Sequence, residues 1–165
     1  MTYIQPDSPL MKKKMMLWPV YILLTLPLVH GFAVRGSIRS PAVVADVAVT
    51  GKDGDYSFSV TLRSPDTGCG QYADWWEVID PAGKLLYRRI LRHSHVDEQP
   101  FTRSGGPVPV RGDTEVIVRV HMNDTGYSRH AMKGNVKAGF TKVMLPDEFA
   151  KSTEKEGPLP AGCDF

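Results

Sequence analysis

From residue 42 onward, apolar and polar side chains alternate in short runs, the spacing of strands that bury one face and wet the other. The clearest run sets Tyr56, Phe58, Val60 and Leu62 against Ser57, Ser59, Thr61 and Arg63. Before it, Val43, Ala45, Val47 and Val49 predict the inner face of a first strand, and Lys52, Asp53, Gly54 and Asp55 supply a hairpin loop. A third strand is predicted from Trp75 to Asp80. Pro81 to Lys84 then forms a turn, with proline at its first corner and glycine near its end. A fourth strand from Leu85 to Arg92 buries an arginine whichever face turns inward.

The stretch from His93 to Pro109 reads mostly as loop, with a short edge strand over Val108 to Val110. In the strand from Thr114 to Met122, Val116, Val118, Val120 and Met122 share one face, and Glu115, Ile117, Arg119 and His121 share the other. Asp124 to Gly134 is expected to be loop, and Val136 to Leu145 a last strand bulged near Gly139. Asp147 to Lys151 has room for one helical turn. About seven strands at this spacing predict an all-β protein, an antiparallel two-sheet sandwich of immunoglobulin or fibronectin type III kind, with a partly closed barrel as the alternative.

The start of the chain breaks this pattern. Lys12, Lys13 and Lys14 precede an apolar run from Met15 to Val29, and small residues follow at Gly31 and Ala33, the layout of a secretory signal. The run is shorter than the roughly 20 apolar residues of a bilayer-spanning helix, and Pro19 and Pro27 interrupt it. The expected organisation is a signal peptide over residues 1–33, with Met11 as an alternative start, a linker over 34–41, a sandwich over 42–146 and a tail over 147–165. No cysteine follows the apolar run, which argues against a lipid-modified amino terminus. The address implied is exported, periplasmic or extracellular, and contact with a membrane is expected only through the signal segment if it stays uncleaved.

The whole chain carries 20 Lys and Arg against 18 Asp and Glu. Residues 1–33 hold three of the lysines and one aspartate, so the remainder is formally neutral. A neutral domain with no basic block offers no electrostatic footprint for nucleic acid. Cys69 and Cys163 form an even pair, which in an oxidising compartment predicts a disulfide that pins the Pro/Gly-rich tail to the Cys69 loop. On the chain-entropy model such a link is worth about 4.7 kcal/mol.

Three groups of side chains could carry chemistry. In an extended segment His93 and His95 would project to one side about 7 Å apart, close enough to share copper or zinc. Asp97 or Glu98 could add an oxygen, and His121 or His130 could complete the site. The competing expectation is a loop tied down by hydrogen bonds, with Asp97 or Glu98 accepting from backbone amides or from Arg103.

The second group follows from strand parity. If Trp76 and Val78 face the core, Trp75 and Glu77 face outward beside Arg119 and His121, with Tyr87 or Arg89 near by. This is an exposed face suited to an unknown protein or small ligand, or else a ladder that only solubilises the sheet. The third group is Ser94, Ser104 and Ser128 with His93, His95 and His130, which no ordered motif sets in register; an enzyme is not the favoured reading and no cofactor is required. Arg111-Gly112-Asp113 sits where a turn is needed, and Asn123-Asp124-Thr125 is a glycosylation sequon relevant only to a eukaryotic secretory route.

Three phrases, Tyr72-Ala73-Asp74-Trp75-Trp76-Glu77, Leu86-Tyr87-Arg88-Arg89 and above all His95-Val96-Asp97-Glu98-Gln99-Pro100-Phe101-Thr102-Arg103, resemble a group of uncharacterised exported bacterial proteins. The resemblance covers most of the domain. It implies a bacterial source and an address outside the cytoplasm, with no activity or catalytic residue attached. The sequence therefore points to an exported binding or interaction module of unknown ligand, with a metal-binding protein using His93 and His95 as the alternative.

Overall fold

The structure is a computed structural model that describes Met1, Thr2 and residues 40–164. The chain divides into two units, Met1–Gly36 and Ser37–Phe165. The signal segment lies outside the described residues. Among the described residues no helix is long and apolar enough to cross a membrane.

Among its described residues the second unit contains nine strands: β1 (Val43–Lys52), β2 (Asp55–Arg63), β3 (Ala73–Ile79), β4 (Leu85–Ile90), β5 (Phe101–Val108), β6 (Val116–Met122), β7 (Gly126–Tyr127), β8 (His130–Asn135) and β9 (Gly139–Met144), followed by a short 3-10 helix, Lys151–Lys155. They form two antiparallel sheets, one in the order β1-β2-β5 and one in the order β4-β3-β6-β8-β9, with β7 also paired to β6. This is the two-sheet sandwich expected from the alternation. Phe58, Val60 and Leu62 of β2 share one interior with Trp76 and Val78 of β3 and with Val116, Val118 and Val120 of β6. Each of these eight is completely buried. Such side chains contribute about 1.5–3 kcal/mol apiece when fully removed from water.

Three departures from the alternation have local causes. In β1 the inward residues are Val44 and Val47, not the single series through Val43 and Ala45, because the register with β2 shifts between Val44 and Asp46. One extra residue flips every side chain beyond it to the other face. β5 occupies much of the second half of a stretch expected to be loop. Its Gly105, Gly106 and Pro107 look like turn residues, yet this strand pairs only with β2 at the sheet edge, where proline is tolerated. The glycines are needed there: a Cβ on Gly106 would sit 2.7 Å from the Tyr56 carbonyl oxygen. Hydroxyl pairs Ser59–Ser104 at 2.7 Å and Thr61–Thr102 at 2.8 Å complete the β2–β5 ladder on its wet face.

The expected single last strand is instead the hairpin β8–β9, and the expected Asp124 to Gly134 loop supplies its first arm. Asn135 Oδ1 accepts from Ala138 N at 2.8 Å to close the turn, and Gly139 takes a φ of 84°, which glycine adopts without strain.

A third layer completes the unit. The tail crosses the outer face of the larger sheet, where Ile79, Ile117, Ala131 and Leu145 form a second apolar cluster with Leu85, Val143, Phe149 and Ala150. Cys163 is bonded to Cys69, so the far end of the tail is tied covalently to the loop before β3. Gly83 in the β3–β4 turn makes the close approach possible, since a Cβ there would meet the Ala150 Cβ at 2.8 Å.

The hairpin yields a test. A Cβ on Gly134 would collide with the Gly139 carbonyl and lie 2.9 Å from the Phe140 Cα, both backbone, whereas nothing lies within 4 Å of one on Gly70. Gly134→Ala should therefore cost about 2 kcal/mol or more in urea unfolding, and Gly70→Ala should change stability by no more than about 0.5 kcal/mol. Equal effects from the two would show that the hairpin is not packed as described.

Candidate functional site

The sheet face built by β3, β4 and β6 carries Glu77, Arg88 and Arg119 in register: Glu77 stands opposite Arg88 on one side and Arg119 on the other. Trp75, Glu77, Arg119 and His121 lie on the sheet face away from the sandwich interior, yet they are not exposed. Trp75 is 3% exposed, Glu77 0%, Arg119 1% and His121 8%. The physical reason is the tail, which alternation in the strands cannot reveal because it arrives from 70 residues downstream and lies over this face.

Among the described residues the Glu77 carboxylate is the centre of a dense set of bonds. Glu77 Oε1 accepts from Arg119 Nε at 2.9 Å and from Thr153 Oγ1 at 3.2 Å. Its Oε2 accepts from Arg88 Nε at 2.9 Å, Arg88 Nη2 at 2.6 Å and Tyr127 Oη at 3.1 Å. The two guanidinium groups then donate to the tail. Arg119 donates to the carbonyls of Phe149 at 2.6 Å and Ala150 at 2.9 Å, and Arg88 to those of Thr153 at 2.6 Å and Pro158 at 3.2 Å, as well as to Glu156 O. Arg119 also lies 3.4 Å from the Tyr127 ring centroid, and Arg88 4.5 Å from that of Trp75. With its carboxylate oxygens saturated, Glu77 has no acceptor left for a substrate, and the face works as a polar staple.

His121 belongs to the same layer. It stacks on Trp75 with ring centroids 3.6 Å apart, its Nδ1 is 2.6 Å from Asp74 Oδ1, and its Nε2 is 3.7 Å from Glu154. Asp74 reaches it because the β3–β6 register shifts between Ala73 and Trp75.

The His93 to Arg103 segment is held by a different set of bonds. Asp66 Oδ2 accepts from His95 N at 2.8 Å, and its Oδ1 accepts from Ala73 N at 3.0 Å. Gln99 donates to the His95 carbonyl at 2.9 Å and accepts from Ser64 N at 2.9 Å; Arg103 pairs with Glu98 at 2.7 Å. The His95 ring is buried, stacked on Phe101 at 3.8 Å and tilted against His93 at 4.5 Å, and neither of its nitrogens has a hydrogen-bond partner in the protein. His93 and Asp97 are exposed. The structure thus brings His93 and His95 together, but His121 is occupied by Trp75 and Asp74. Among the described residues no group of three or more His, Cys, Asp or Glu is placed to hold a metal ion.

The three serines are engaged elsewhere: Ser94 accepts from Gly68 N at 3.2 Å, Ser104 pairs with Ser59, and Ser128 donates to the Ala42 carbonyl. Among the described residues none of them bonds to an imidazole. Arg111, Gly112 and Asp113 form the expected turn, Thr114 N donating to Arg111 O at 3.0 Å and Gly112 N to Asp53 Oδ1 at 2.8 Å.

At one end of the sandwich, where β1 begins, lies a cleft of about 390 Å3 that strand alternation does not foreshadow. Ala42, Pro65, Met122 and Met144 supply apolar wall, and Ser128 and His130 polar points. No periodic signal marks it because its walls come from segments distant in sequence, around Ala42, Pro65, Ser128 and Met144.

Among known proteins, the chain is similar to a protein from Halomicrobium mukohataei named putative lipoprotein, with 39% identity over 124 residues, covering 74% of this chain and 56% of the relative. The chain therefore spans little more than half the length of that relative. No family model matches the chain, and no solved structure matches it.

Two outcomes follow. Glu77→Gln leaves two buried guanidinium groups without a counter-charge, a change that typically costs about 3–5 kcal/mol; urea unfolding at neutral pH should show it, and a loss under about 1 kcal/mol would mean the pairs are not buried as described. The second outcome concerns His95. Burial foremost, then the Arg103 and His93 charges, push its pKa below the usual value of 6.5. The unfolded chain thus takes up a proton before the folded one, so this contribution to stability is complete above pH 6.5 and is lost as pH falls through the folded pKa. His95→Phe should flatten the fall in melting temperature between pH 6.5 and 5; an unchanged slope would place the dependence elsewhere.

Proposed function

We propose that the protein is an exported, non-enzymatic binding module whose ligand enters the cleft at the β1 end of the sandwich. The observation that carries this is the cleft itself. Its volume of about 390 Å3 lies in the range typical of small-molecule sites, and its wall is mainly apolar with a few polar points, which suits a small amphiphilic ligand.

Support for an address outside the cytoplasm comes from the disulfide, which persists in oxidising compartments, and from the name of the Halomicrobium mukohataei relative. Both cysteines stand in the disulfide, so lipid attachment is not carried over from that name. The non-enzymatic reading is supported by the saturation of Glu77 and the serine hydroxyls. The alternative, copper or zinc held by His93 and His95, is supported by the 4.5 Å approach of their rings alone.

Fragment screening by methyl-detected NMR tests the cleft. Binders should shift the Ala42, Met122 and Met144 signals together, and Met144→Arg, at a side chain already 52% exposed, should abolish binding without unfolding the protein. Shifts that map to other surfaces, or binding that survives the substitution, would remove the cleft as the site.

A further inference from the structure

A second concavity shares no residue with the cleft. It has a volume of about 110 Å3 and is lined by Arg89, Ile90, Leu91, Arg92, His93, His95 and Arg103. Five of these seven side chains are basic, and no carboxylate lines the space. The acids near by are already engaged: Glu98 pairs with Arg103 at 2.7 Å, Asp164 with Arg92 at 2.7 Å, and Asp66 accepts from the His95 and Ala73 backbones.

Unspent donors remain. Arg89 is exposed, and among the described residues its side chain makes no ion pair or hydrogen bond. His95, 2% exposed, has two ring nitrogens without a hydrogen-bond partner among the described residues, its Nδ1 lying 3.9 Å from the Asp66 carboxylate, although a buried polar group without such a partner costs about 1–3 kcal/mol. Crowding cations around a concave, partly apolar wall raises the local positive potential, which repels a metal ion and attracts an anion.

From this arrangement we infer that the pocket is a binding site for a single oxyanion group, a phosphate, sulfate or carboxylate. The Arg89 fork presents planar paired donors of the kind that hold such oxygens bidentately. Arg103, whose Nη1 donates to the Thr102 carbonyl at 3.0 Å and whose Nη2 donates to Glu98 at 2.7 Å, adds its remaining N–H groups, and an imidazole N–H of His95 meets the anion at the floor. A volume of 110 Å3 equals the share of about three or four water molecules, enough for one such headgroup and too little for a larger body. The tail helps to shape the rim, since Asp164 N donates to the Arg92 carbonyl and its carboxylate holds the Arg92 side chain.

The experiment is a titration of the full chain with sodium phosphate, sodium sulfate and sodium acetate, each at ionic strength matched with sodium chloride, followed by thermal unfolding and by the imidazole NMR signals. At least one oxyanion should raise the melting temperature saturably and shift the His93 and His95 signals, leaving those of His130 in place. Preference for phosphate or sulfate over acetate, or the reverse, identifies which oxyanion class the site takes. Arg89→Ala, which removes no hydrogen bond or ion pair among the described residues, should weaken binding at least tenfold while the melting temperature in chloride stays nearly unchanged; Arg103→Gln should weaken it similarly. Arg111→Ala, remote from the pocket, should leave affinity unaltered. Effects that follow ionic strength alone, an affinity unchanged in both pocket variants, or stabilisation by zinc without any by the oxyanions would each overturn the proposal. Because the cleft is read out at Met122 and Met144, failure here and failure there are separable.

Discussion

A carboxylate placed in the centre of a sheet and removed from water has to be neutralised there, and Glu77 is neutralised by two arginines at once. One negative charge cannot balance two positive ones, so the remaining donors of Arg88 and Arg119 seek acceptors. They find five backbone carbonyls of the tail, from Phe149 to Pro158. The excess charge of the triad is thus what draws the last part of the chain over the sheet. Breaking one partner would leave buried charge exposed to no solvent, which is why such groups are far more costly to disrupt singly than they are favourable as a set.

Other features follow from that cover. The tail shields Trp75, His121 and Tyr127, so residues that alternate outward on β3 and β6 become buried on both faces. It also closes a second apolar cluster against Phe149 and Ala150. Ala150 holds a left-handed φ of 48°, the one non-glycine residue to do so among the described residues, and its carbonyl is shared by Arg119 Nη2 and the Thr153 amide. Strain of roughly 1–3 kcal/mol at such a residue persists only where its surroundings over-determine it, and two buried donors on one carbonyl do so. The Cys69–Cys163 bond acts on the same segment from its other end, limiting how far the unfolded tail can wander.

What could be read from the chain, and what could not, divides along the range of the interactions. β2 and β6 were legible because their burial is decided by alternation alone, and Phe58, Val60 and Val118 meet in one interior as that alternation requires. The disulfide was legible because only one pairing exists for two cysteines. β5 was not, since Gly105, Gly106 and Pro107 carry turn signals that an edge position overrides. The bulge after Val44 and the β8–β9 hairpin depend on partner strands, and no local pattern encodes them. For the candidate face, the side of the sheet was legible in Trp75, Glu77 and Arg119, but the cover was not. A pair of arginines and a glutamate on adjoining strands was itself the available signal, for so much charge on one sheet face asks for a partner layer.

With that face closed, the concavities the tail leaves open include the cleft at the β1 end and the basic pocket beside His95. Hydrogen exchange of backbone amides tests the underlying claim most directly. If the triad makes the tail part of the folded unit, the Thr153 and Glu156 amides should exchange as slowly as those of β3 and β6 and by the same global opening. Exchange of these two amides near the rate of free peptide, with β3 and β6 still protected, would contradict it and return Trp75, Glu77 and Arg119 to the surface.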